Sequence, residues 1–285
     1  MADVIAVDVG GTKLAAGVVD DDGTLRSRVD APTRLDLDAD ALFDVLADLV
    51  DQLDRSEVTA VGAGCGGPMD AGGEHVSPLN IPAWRAFPLR ARLSAHTGLP
   101  AFVDNDAKAL ALGEGWVGAA TGARDYIGMV VSTGVGGGIV LDGRLLDGRS
   151  GNAGHIGHVI VEPDGHLCGC GARGCLEAEA SGTAIARITG RPPAEATPEV
   201  RERTGTLVGR AVASVANLLD LPLAVVSGSV ALGFGAPFFE AAQRELDARC
   251  RLDFSRGTRI VPGALGPDGP LIGAARIALR HRQET

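Results

Sequence analysis

Two glycine clusters, at equivalent points of two similar stretches, constrain the fold of this chain more than any other feature. The first, DVGGTK at 8–13, joins the apolar runs VIAVDV and LAAGVV, and the second, STGVGGG at 132–138, joins YIGMVV to IVL. Apolar runs of this length connected by a glycine turn are typical of a β-hairpin. The repeat of strand, glycine turn and strand predicts a duplicated α/β unit with a ligand cleft between its two copies.

Neither cluster fits the two common nucleotide-binding motifs. A Walker loop needs Gly-Lys followed by Ser or Thr at a fixed spacing, and a dinucleotide-binding loop opens a helix. Both clusters here instead lead from one strand into another. The pattern therefore disfavours a P-loop NTPase and a Rossmann dehydrogenase.

Helices and buried strands are expected to alternate after each hairpin. Apolar residues at helical spacing predict helices over 38–53, 89–96, 107–116, 206–219, 237–250 and 271–282. The pattern restarts after the strand that ends in VDND. We therefore assign residues 1–106 and 271–285 to a smaller N-terminal α/β domain and residues 107–270 to a larger α/β domain.

Charge and composition exclude several classes of protein. The formal net charge of −10 opposes nucleic-acid binding, which requires a positive surface. The chain is 45% hydrophobic and 22% charged, as in ordinary globular proteins, and has no run of eighteen uncharged apolar residues and no basic and apolar leader. We expect a cytoplasmic protein with no nucleic-acid and no membrane partner.

The glycine clusters are suited to holding phosphate. Backbone N–H groups at a tight turn form a concave anion site, the Thr12 hydroxyl can bond a phosphate oxygen, and Asp8 can hold Mg²⁺ through water. Each cluster alone has an ordinary hairpin turn as its alternative, but the two together favour a nucleotide site. The candidate ATP and Mg²⁺ residues are Asp8, Gly10, Gly11, Thr12, Lys13, Thr133, Gly134, Gly136 and Gly137.

The segment AGHIGHVIVEPDGHLCGCGARGC at 153–175 carries three histidines and three of the five cysteines. In a reducing compartment such short spacings favour a metal over a disulfide. Three thiolates and one imidazole form a closed tetrahedral zinc site, which is structural because no position stays open for water. Buried free cysteines are the alternative, and His155, His158 and His166 compete for the fourth position.

Asp106 is the candidate general base. It stands with Asn105 at the carboxyl end of a predicted strand, where ligands bind in α/β sheets, and a carboxylate held there can accept a proton from a bound substrate. The alternative is an N-cap of the following helix, a role common for Asp and Asn. The spacing alone leaves both open.

DVGGTK, STGVGGG, VDNDAKALALGE and the histidine-cysteine segment, in this order, resemble the ROK family of sugar kinases and sugar-responsive repressors, in the actin-like ATPase superfamily. The resemblance runs from Val4 to Ala278. It implies two actin-like (ribonuclease H-like) ATPase domains, Asp106 as general base, ATP and Mg²⁺ as cofactors, and a structural Zn²⁺. The implied zinc ligands are His158, Cys168, Cys170 and Cys175.

The resemblance also implies the sugar and adenine contacts. The implied substrate-binding residues are Gly67, Asn80, Asn105, Asp106, His155, His158 and Glu177, and Gly228 stands at the adenine-side loop. A loop punctuated by prolines, with Trp84 as a packing anchor, is the alternative for the Asn80 segment. The repressors carry a DNA-binding segment before the first glycine loop, and only seven residues precede Asp8, so we expect the kinase branch.

Three residues depart from the family pattern. Met69 replaces a glycine, Ser229 stands where a glycine run is commoner, and His155 replaces a glutamate that bonds sugar hydroxyls in the family's kinases. Imidazole can donate a hydrogen bond and titrates near neutral pH, whereas a carboxylate only accepts. A modified sugar or a cyclitol thus stands beside a glucose-like hexose as the expected substrate.

The expected activity is ATP-dependent phosphorylation of a hexose or hexose-like sugar. A non-catalytic sugar sensor is the rival, and polyphosphate as the donor would call for a basic channel that this acidic sequence does not show. The resemblance further implies a homodimer or a homotetramer.

Overall fold

Each half of the chain opens with an antiparallel hairpin at a glycine cluster, as the sequence predicts. The computed structural model describes residues 3–283. Its strands are β1 (Asp3–Val9), β2 (Lys13–Val19), β3 (Leu25–Pro32), β4 (Val58–Cys65), β5 (Ala101–Asn105), β6 (Tyr126–Val131), β7 (Val135–Leu141), β8 (Arg144–Leu145), β9 (Leu223–Ser227) and β10 (Arg259–Pro262). Its α-helices are α1 (Ala39–Asp51), α2 (Leu89–Thr97), α3 (Asp106–Val117), α4 (Leu176–Ala180), α5 (Gly182–Thr189), α6 (Pro198–Leu219), α7 (Ser229–Phe234), α8 (Ala236–Arg249) and α9 (Gly269–Gln283).

Two five-stranded mixed sheets share one topology. The first sheet has the order β3-β2-β1-β4-β5, and the second has the order β8-β7-β6-β9-β10 when read from its other end. In both, the first strand of the hairpin runs antiparallel to the second and parallel to the strand on its other side. The internal repeat predicted from the glycine clusters is therefore present in the strand order.

The chain folds as two compact units. Unit 1 comprises residues up to 117, residues 147–153 and residues from 267 onward, and unit 2 comprises residues 118–146 and 154–266. In unit 1, apolar residues of β1 alternate between two clusters. Ile5 and Val7 pack with α1 and α2, while Val4 and Ala6 pack with α9. Glycines bring backbones together in both units, because a Cβ at Gly62 would overlap the Ala274 carbonyl of α9 and one at Gly205 of α6 would overlap the Phe238 carbonyl.

The unit boundaries differ from the domain boundaries expected at 106/107 and 270/271. Helix α3 belongs to unit 1 because Gly273 of α9 lies directly on the Ala109 backbone, where a Cβ would overlap the carbonyl. Residues 147–153 also belong to unit 1, where the buried Lys108 ammonium binds Asp147 at 2.8 Å and the Gly151 carbonyl at 3.1 Å. Neither long-range contact leaves a periodic signal in the sequence.

All six expected helices are present, with differences at their ends. The longest, α6, begins eight residues before the expected start, since its first two turns, PEVRERTG, are mostly polar and lack an apolar stripe. Short helices α4, α5 and α7 were not expected. Within residues 3–283 no helix combines the length and the apolar composition that crossing a membrane would require.

Candidate active site

Unit 1 brings polar side chains together where three parallel strands end. The register pairs Asp8 of β1 with Gly64 of β4, and Gly64 with Asp104 of β5. Asp106 begins α3 directly after β5, and its Cα lies 3.4 Å from where a Cβ of Gly64 would be. Because residue 64 has no side chain, Asp106 approaches the sheet edge near Asp8.

Asp8 is poised to titrate near neutral pH. Its pKa is raised from 3.8 to about 7, mainly by burial and further by the negative charge of Asp106, while Lys13 and Arg28 act in the opposite direction. A carboxyl pKa shifted this far is typical of functional sites. A bound cation would favour the ionised form, so Asp8 fits the cation-binding role predicted for it.

Asn105, rather than Asp106, fills the N-cap position of α3. The Asn105 amide oxygen accepts hydrogen bonds from the backbone N–H groups of Ala107, at 3.0 Å, and of Lys108, at 3.3 Å. Asp106 accepts the adjacent Ala107 N–H at 2.8 Å, and its side chain is half-buried. The capping alternative thus applies to Asn105, and the base role of Asp106 stays a prediction.

Asn80 lies against the first glycine cluster. A Cβ added to Gly11 would lie 2.6 Å from Asn80 Nδ2 and 2.9 Å from Asn80 Cβ, and a Cβ added to Gly66 would lie 3.5 Å from Asn80 Oδ1. The exposed Asn80 amide therefore stands between the candidate phosphate loop and the β4 glycine turn. The structure brings these predicted residues together.

The loop that carries Asn80 is anchored on both sides. Trp84 is fully buried, stacks on Phe87 with ring centroids 4.4 Å apart, and donates its Nε1–H to the Ala39 carbonyl at 3.1 Å. Arg85 donates to the carbonyls of three loop residues, Pro78, Ile81 and Trp84, at 2.9, 2.9 and 2.7 Å. Trp84 is the packing anchor expected for this segment, so the loop presents Asn80 from a fixed frame.

Gly67 and Met69 shape the start of the same loop. The Gly67 carbonyl accepts the Leu79 N–H at 3.3 Å, one residue before Asn80. Met69, which departs from the family pattern, is buried in the core of unit 1 and pairs with Val76 as an isolated bridge. The methionine is thus accommodated as a packing residue at this turn.

In unit 2 the second glycine cluster forms a tight loop at 132–134 between β6 and β7. Ser132 donates its N–H to the Gly134 carbonyl at 2.9 Å, and the Thr133 carbonyl accepts both the N–H and the hydroxyl of Thr183, at 3.2 and 2.9 Å. Gly136 and Gly137, predicted as loop residues, lie inside β7. A Cβ at Gly137 would lie 3.2 Å from the Gly154 carbonyl, so this glycine allows a close approach of two backbones.

A cavity of about 630 Å³ opens beside this loop. One side is polar, with Ser132, Thr133, Thr183 and Ser229, and the hydroxyls of Ser132 and Ser229 lie 2.9 Å apart. The other side is formed by Gly182, Pro192, Pro193, Ala194, Arg201, Val230, Gly233 and Phe234. The volume and the mixed lining are those of a small-molecule pocket.

Arg201 lines this cavity, and Gly228 directly precedes Ser229, another lining residue. Gly228 adopts φ +101°, and a Cβ there would overlap the Val131 carbonyl, so only glycine fits at the end of β9. The Arg201 guanidinium lies 5.5 Å from the Phe234 ring centroid. Sequence reasoning singled out Gly228, next to the lining residue Ser229, but missed Thr183, Arg201 and Phe234, which belong to no glycine motif.

The four predicted zinc ligands converge in unit 2. The ligand atoms of His158, Cys168, Cys170 and Cys175 all lie within 4.8 Å of one another. The Cys170 and Cys175 sulfurs are 3.7 Å apart, and the Cys168 sulfur is 3.8 Å from His158 Nδ1. Tetrahedral zinc with Zn–S bonds of about 2.3 Å requires sulfurs about 3.8 Å apart, so the donor set fits zinc.

The two remaining histidines of the segment lie outside the cluster. His155 is exposed, and its ring stacks at 6.2 Å from that of His158. His166 Nδ1 lies 2.9 Å from the buried Glu179 carboxylate, which also accepts from Arg203 at 2.7 Å. Burial raises the pKa of Glu179, but these hydrogen bonds outweigh it and the pKa is lowered overall. His166 therefore has a structural partner, and His155 is exposed on the surface of unit 2.

Glu177 lies two residues after Cys175, the last cysteine of the cluster. Its Oε2 accepts the backbone N–H of Val135 at 3.0 Å, immediately after the glycine loop. The structure thus connects a residue predicted to contact sugar with the candidate phosphate loop.

Lys108, whose side chain is only 2% exposed, also binds Asp104 at 2.9 Å, one residue before Asn105.

Comparison with known proteins identifies the family of this chain. The sequence matches the ROK family over residues 4–281. It is 39% identical over 246 residues to N-acetylmannosamine kinase of Citrobacter koseri, covering 81% of this chain and 84% of that protein, and 31% identical to glucokinase of Thermotoga maritima, covering 96% of each.

A crystal structure of similar fold is that of a ROK family glucokinase from Streptomyces griseus in complex with glucose and AMPPNP. The TM-score is 0.85 at 31% identity, covering 98% of this chain and all of that one. The match of both mixed sheets confirms the predicted actin-like α/β fold. The chain belongs to the ROK family.

Proposed function

We propose that this chain is an ATP-dependent sugar kinase in which Asp106 is the general base. The observation that carries the proposal is the sheet edge of unit 1, where Asp106, Asp8 and Asn80 gather around two glycine turns. Family membership and the named kinases among its relatives support the same reaction class.

Unit 1 supplies the proposed base and two of the proposed sugar contacts. Asn80 and Asn105 would bind sugar hydroxyls, and the Asn105 amide nitrogen remains a donor because its oxygen caps α3. The Asp106 carboxylate would then accept the proton of the reacting hydroxyl as its oxygen attacks the γ-phosphorus. General-base catalysis of this kind contributes about 10²–10⁴ in rate.

The phosphate-handling groups are assigned to the two glycine loops. Gly10, Gly11, Thr12 and Lys13 in unit 1, and Thr133 and Gly134 in unit 2, would contact phosphate oxygens through N–H, hydroxyl and ammonium donors. The cavity of unit 2 would hold the adenosine part of ATP. Asp8 would hold Mg²⁺, which neutralises phosphate charge when bound.

The Cys3His cluster would hold a structural Zn²⁺. Four protein ligands leave no open position, so the ion's contribution is to folding, and it fixes the segment that bears His155 and Glu177. The four ligand atoms lie within 4.8 Å of one another, which supports this assignment.

His155 directs the choice of sugar in this proposal. A relative named N-acetylmannosamine kinase is 39% identical, and an exposed imidazole can donate to an acyl carbonyl oxygen where a carboxylate would repel it. We therefore propose an N-acyl hexosamine as the preferred acceptor and glucose as a poorer one. The substrate panel described below also includes a cyclitol, the alternative substrate predicted from the sequence.

The location and the assembly complete the proposal. We assign the kinase to the cytoplasm, as a homodimer or a homotetramer without nucleic-acid or membrane partners. Light scattering of the purified protein coupled to size-exclusion chromatography distinguishes the two assemblies.

A substrate panel tests the function. ADP release is measured with glucose, mannose, N-acetylmannosamine, N-acetylglucosamine and myo-inositol, for the wild type and for His155→Glu and His155→Gln. We expect turnover on N-acetylmannosamine by the wild type, and a shift of kcat/KM toward glucose by at least about tenfold in His155→Glu, equal to about 1.4 kcal/mol. His155→Gln removes the imidazole ring without adding a negative charge. It therefore separates the effect of losing the ring from the effect of gaining the charge. Sugar binding without turnover on any sugar would favour a sensor instead.

A further inference from the structure

Val135, the first residue after the glycine loop of unit 2, is contacted from both ends of the predicted zinc cluster. Its N–H donates to Glu177 Oε2 at 3.0 Å, and Glu177 follows Cys175 by two residues. Its carbonyl lies against Gly157, where a Cβ would overlap the oxygen, and Gly157 directly precedes His158. Both backbone polar groups of Val135 thus contact the segments that bear the metal ligands.

Those two segments are also joined to each other by backbone contacts. Leu176 donates its N–H to the Val159 carbonyl at 2.9 Å, and Cys175 pairs with Ile160 as an isolated bridge. Glu177 therefore lies in the first turn of a short helix that starts from a rigid junction beside the metal ligands.

The Glu177 carboxylate also lies against the loop itself. A Cβ at Gly134 would be 3.0 Å from Glu177 Oε2, so the absence of a side chain at residue 134 allows the carboxylate to reach Val135. The next residues along the chain continue the contact, since Gly182 donates its N–H to the Ser132 carbonyl at 2.7 Å. Residues 177–183 thus hold the loop at successive points.

We infer that Glu177 is a positioning residue for the phosphate-binding loop. Through this residue, the folded metal cluster holds the loop in place and so strengthens nucleotide binding. This inference deepens the proposed function and rests on it. A carboxylate has two oxygens, so one can accept from Val135 while the other accepts from a sugar hydroxyl. Loss of the Val135 hydrogen bond would release the loop whether or not sugar is present.

The test measures nucleotide binding without sugar. Titration calorimetry with AMPPNP and Mg²⁺ compares the wild type with Glu177→Ala, Glu177→Asp and Glu177→Gln. A hydrogen bond to a charged acceptor contributes about 1.5 kcal/mol or more, so we expect Ala and Asp, which cannot reach Val135, to raise the Kd about tenfold. The Gln side chain keeps an acceptor oxygen at the same reach and should retain near-wild-type affinity.

Hydrogen exchange supplies a readout that a sugar contact would not move. The Val135 amide should exchange faster in Glu177→Ala and Glu177→Asp than in the wild type or Glu177→Gln, and zinc content shows whether each variant has kept its fold. Glu177→Asp keeps the negative charge but cannot reach Val135. It therefore provides the same comparison if Glu177→Ala does not fold.

The outcomes separate this inference from the proposed function. Unchanged AMPPNP affinity and unchanged exchange in Glu177→Ala, with only sugar binding lost, would overturn the inference and leave the kinase proposal standing. A wild type that binds no AMPPNP would overturn both.

Discussion

Gly11→Ala should weaken sugar binding by displacing a neighbouring side chain. The new Cβ would lie 2.6 Å from Asn80 Nδ2 and 2.9 Å from Asn80 Cβ, whereas carbon atoms in contact prefer about 3.5–4.0 Å. Rotation of the amide alone leaves the contact with Asn80 Cβ, so the Asn80 backbone must retreat by about 0.5 Å or more.

The expected effect is large because catalytic geometry tolerates little displacement. A misplacement of about 1 Å can cost about 10²-fold in rate, so we expect kcat/KM for the sugar to fall about 10- to 100-fold in Gly11→Ala. Gly66→Ala is the matched control, since its Cβ would lie 3.5 Å from Asn80 Oδ1, an ordinary contact. Steady-state kinetics with the sugar varied at saturating ATP measures both variants.

A double-mutant cycle identifies Asn80 as the cause. Asn80→Ala removes the amide that the new methyl group would meet, so adding Gly11→Ala to it should cost much less than in the wild type. If Gly11→Ala carries its full cost in the Asn80→Ala background, then the glycine protects the phosphate loop itself and the reasoning about Asn80 is wrong.

Three further predictions concern stability and metal content. Lys108→Met should lower the free energy of unfolding by about 3 kcal/mol in urea denaturation, because it leaves the mostly buried Asp104 carboxylate unpaired; a loss below about 1 kcal/mol would contradict this. Relative to Asp8→Asn, the wild type should lose stability as pH rises from 4 to 7 and level off above 7, because folded Asp8, with its pKa near 7, retains a proton that the unfolded chain has released; a pH-independent difference would refute the raised pKa. Cys168→Ser should lose bound zinc and unfold at lower temperature, whereas Cys250→Ser, outside the cluster, should keep the metal; equal zinc content in both would remove the cluster as the binding site.

The parts of the site that the sequence predicts are those with a local signal. Glycine turns between apolar strands mark DVGGTK and STGVGGG, and short ligand spacing marks the cysteine cluster. The duplicated topology could be predicted from the two hairpins. In each sheet the first hairpin strand then pairs in parallel with a later strand of the same unit. Asn105 and Asp106 could be placed at a strand end, but which of them caps α3 depends on the fold around Ala107.

The remaining features depend on residues distant in sequence. Arg201 and Phe234 reach the unit 2 cavity through tertiary packing, and no motif precedes either. Helix α3 packs in unit 1 because Gly273 has no side chain and so lets α9 approach the Ala109 backbone. This contact joins residues more than 150 positions apart, and no periodic pattern in the sequence predicts it. The hydrogen bond from the Val135 N–H to the Glu177 carboxylate likewise joins two motifs that are far apart in the sequence.

Phosphosugar formation by Asp106→Asn tests the central claim most directly. The product is quantified by ³¹P NMR with the best sugar from the panel, beside sugar affinity by calorimetry and beside Asp44→Asn, an exposed carboxylate of α1. The account predicts that Asp106→Asn binds sugar with nearly unchanged affinity and forms product about 10²–10⁴ times more slowly, while Asp44→Asn matches the wild type. Near-wild-type product formation by Asp106→Asn would contradict the account.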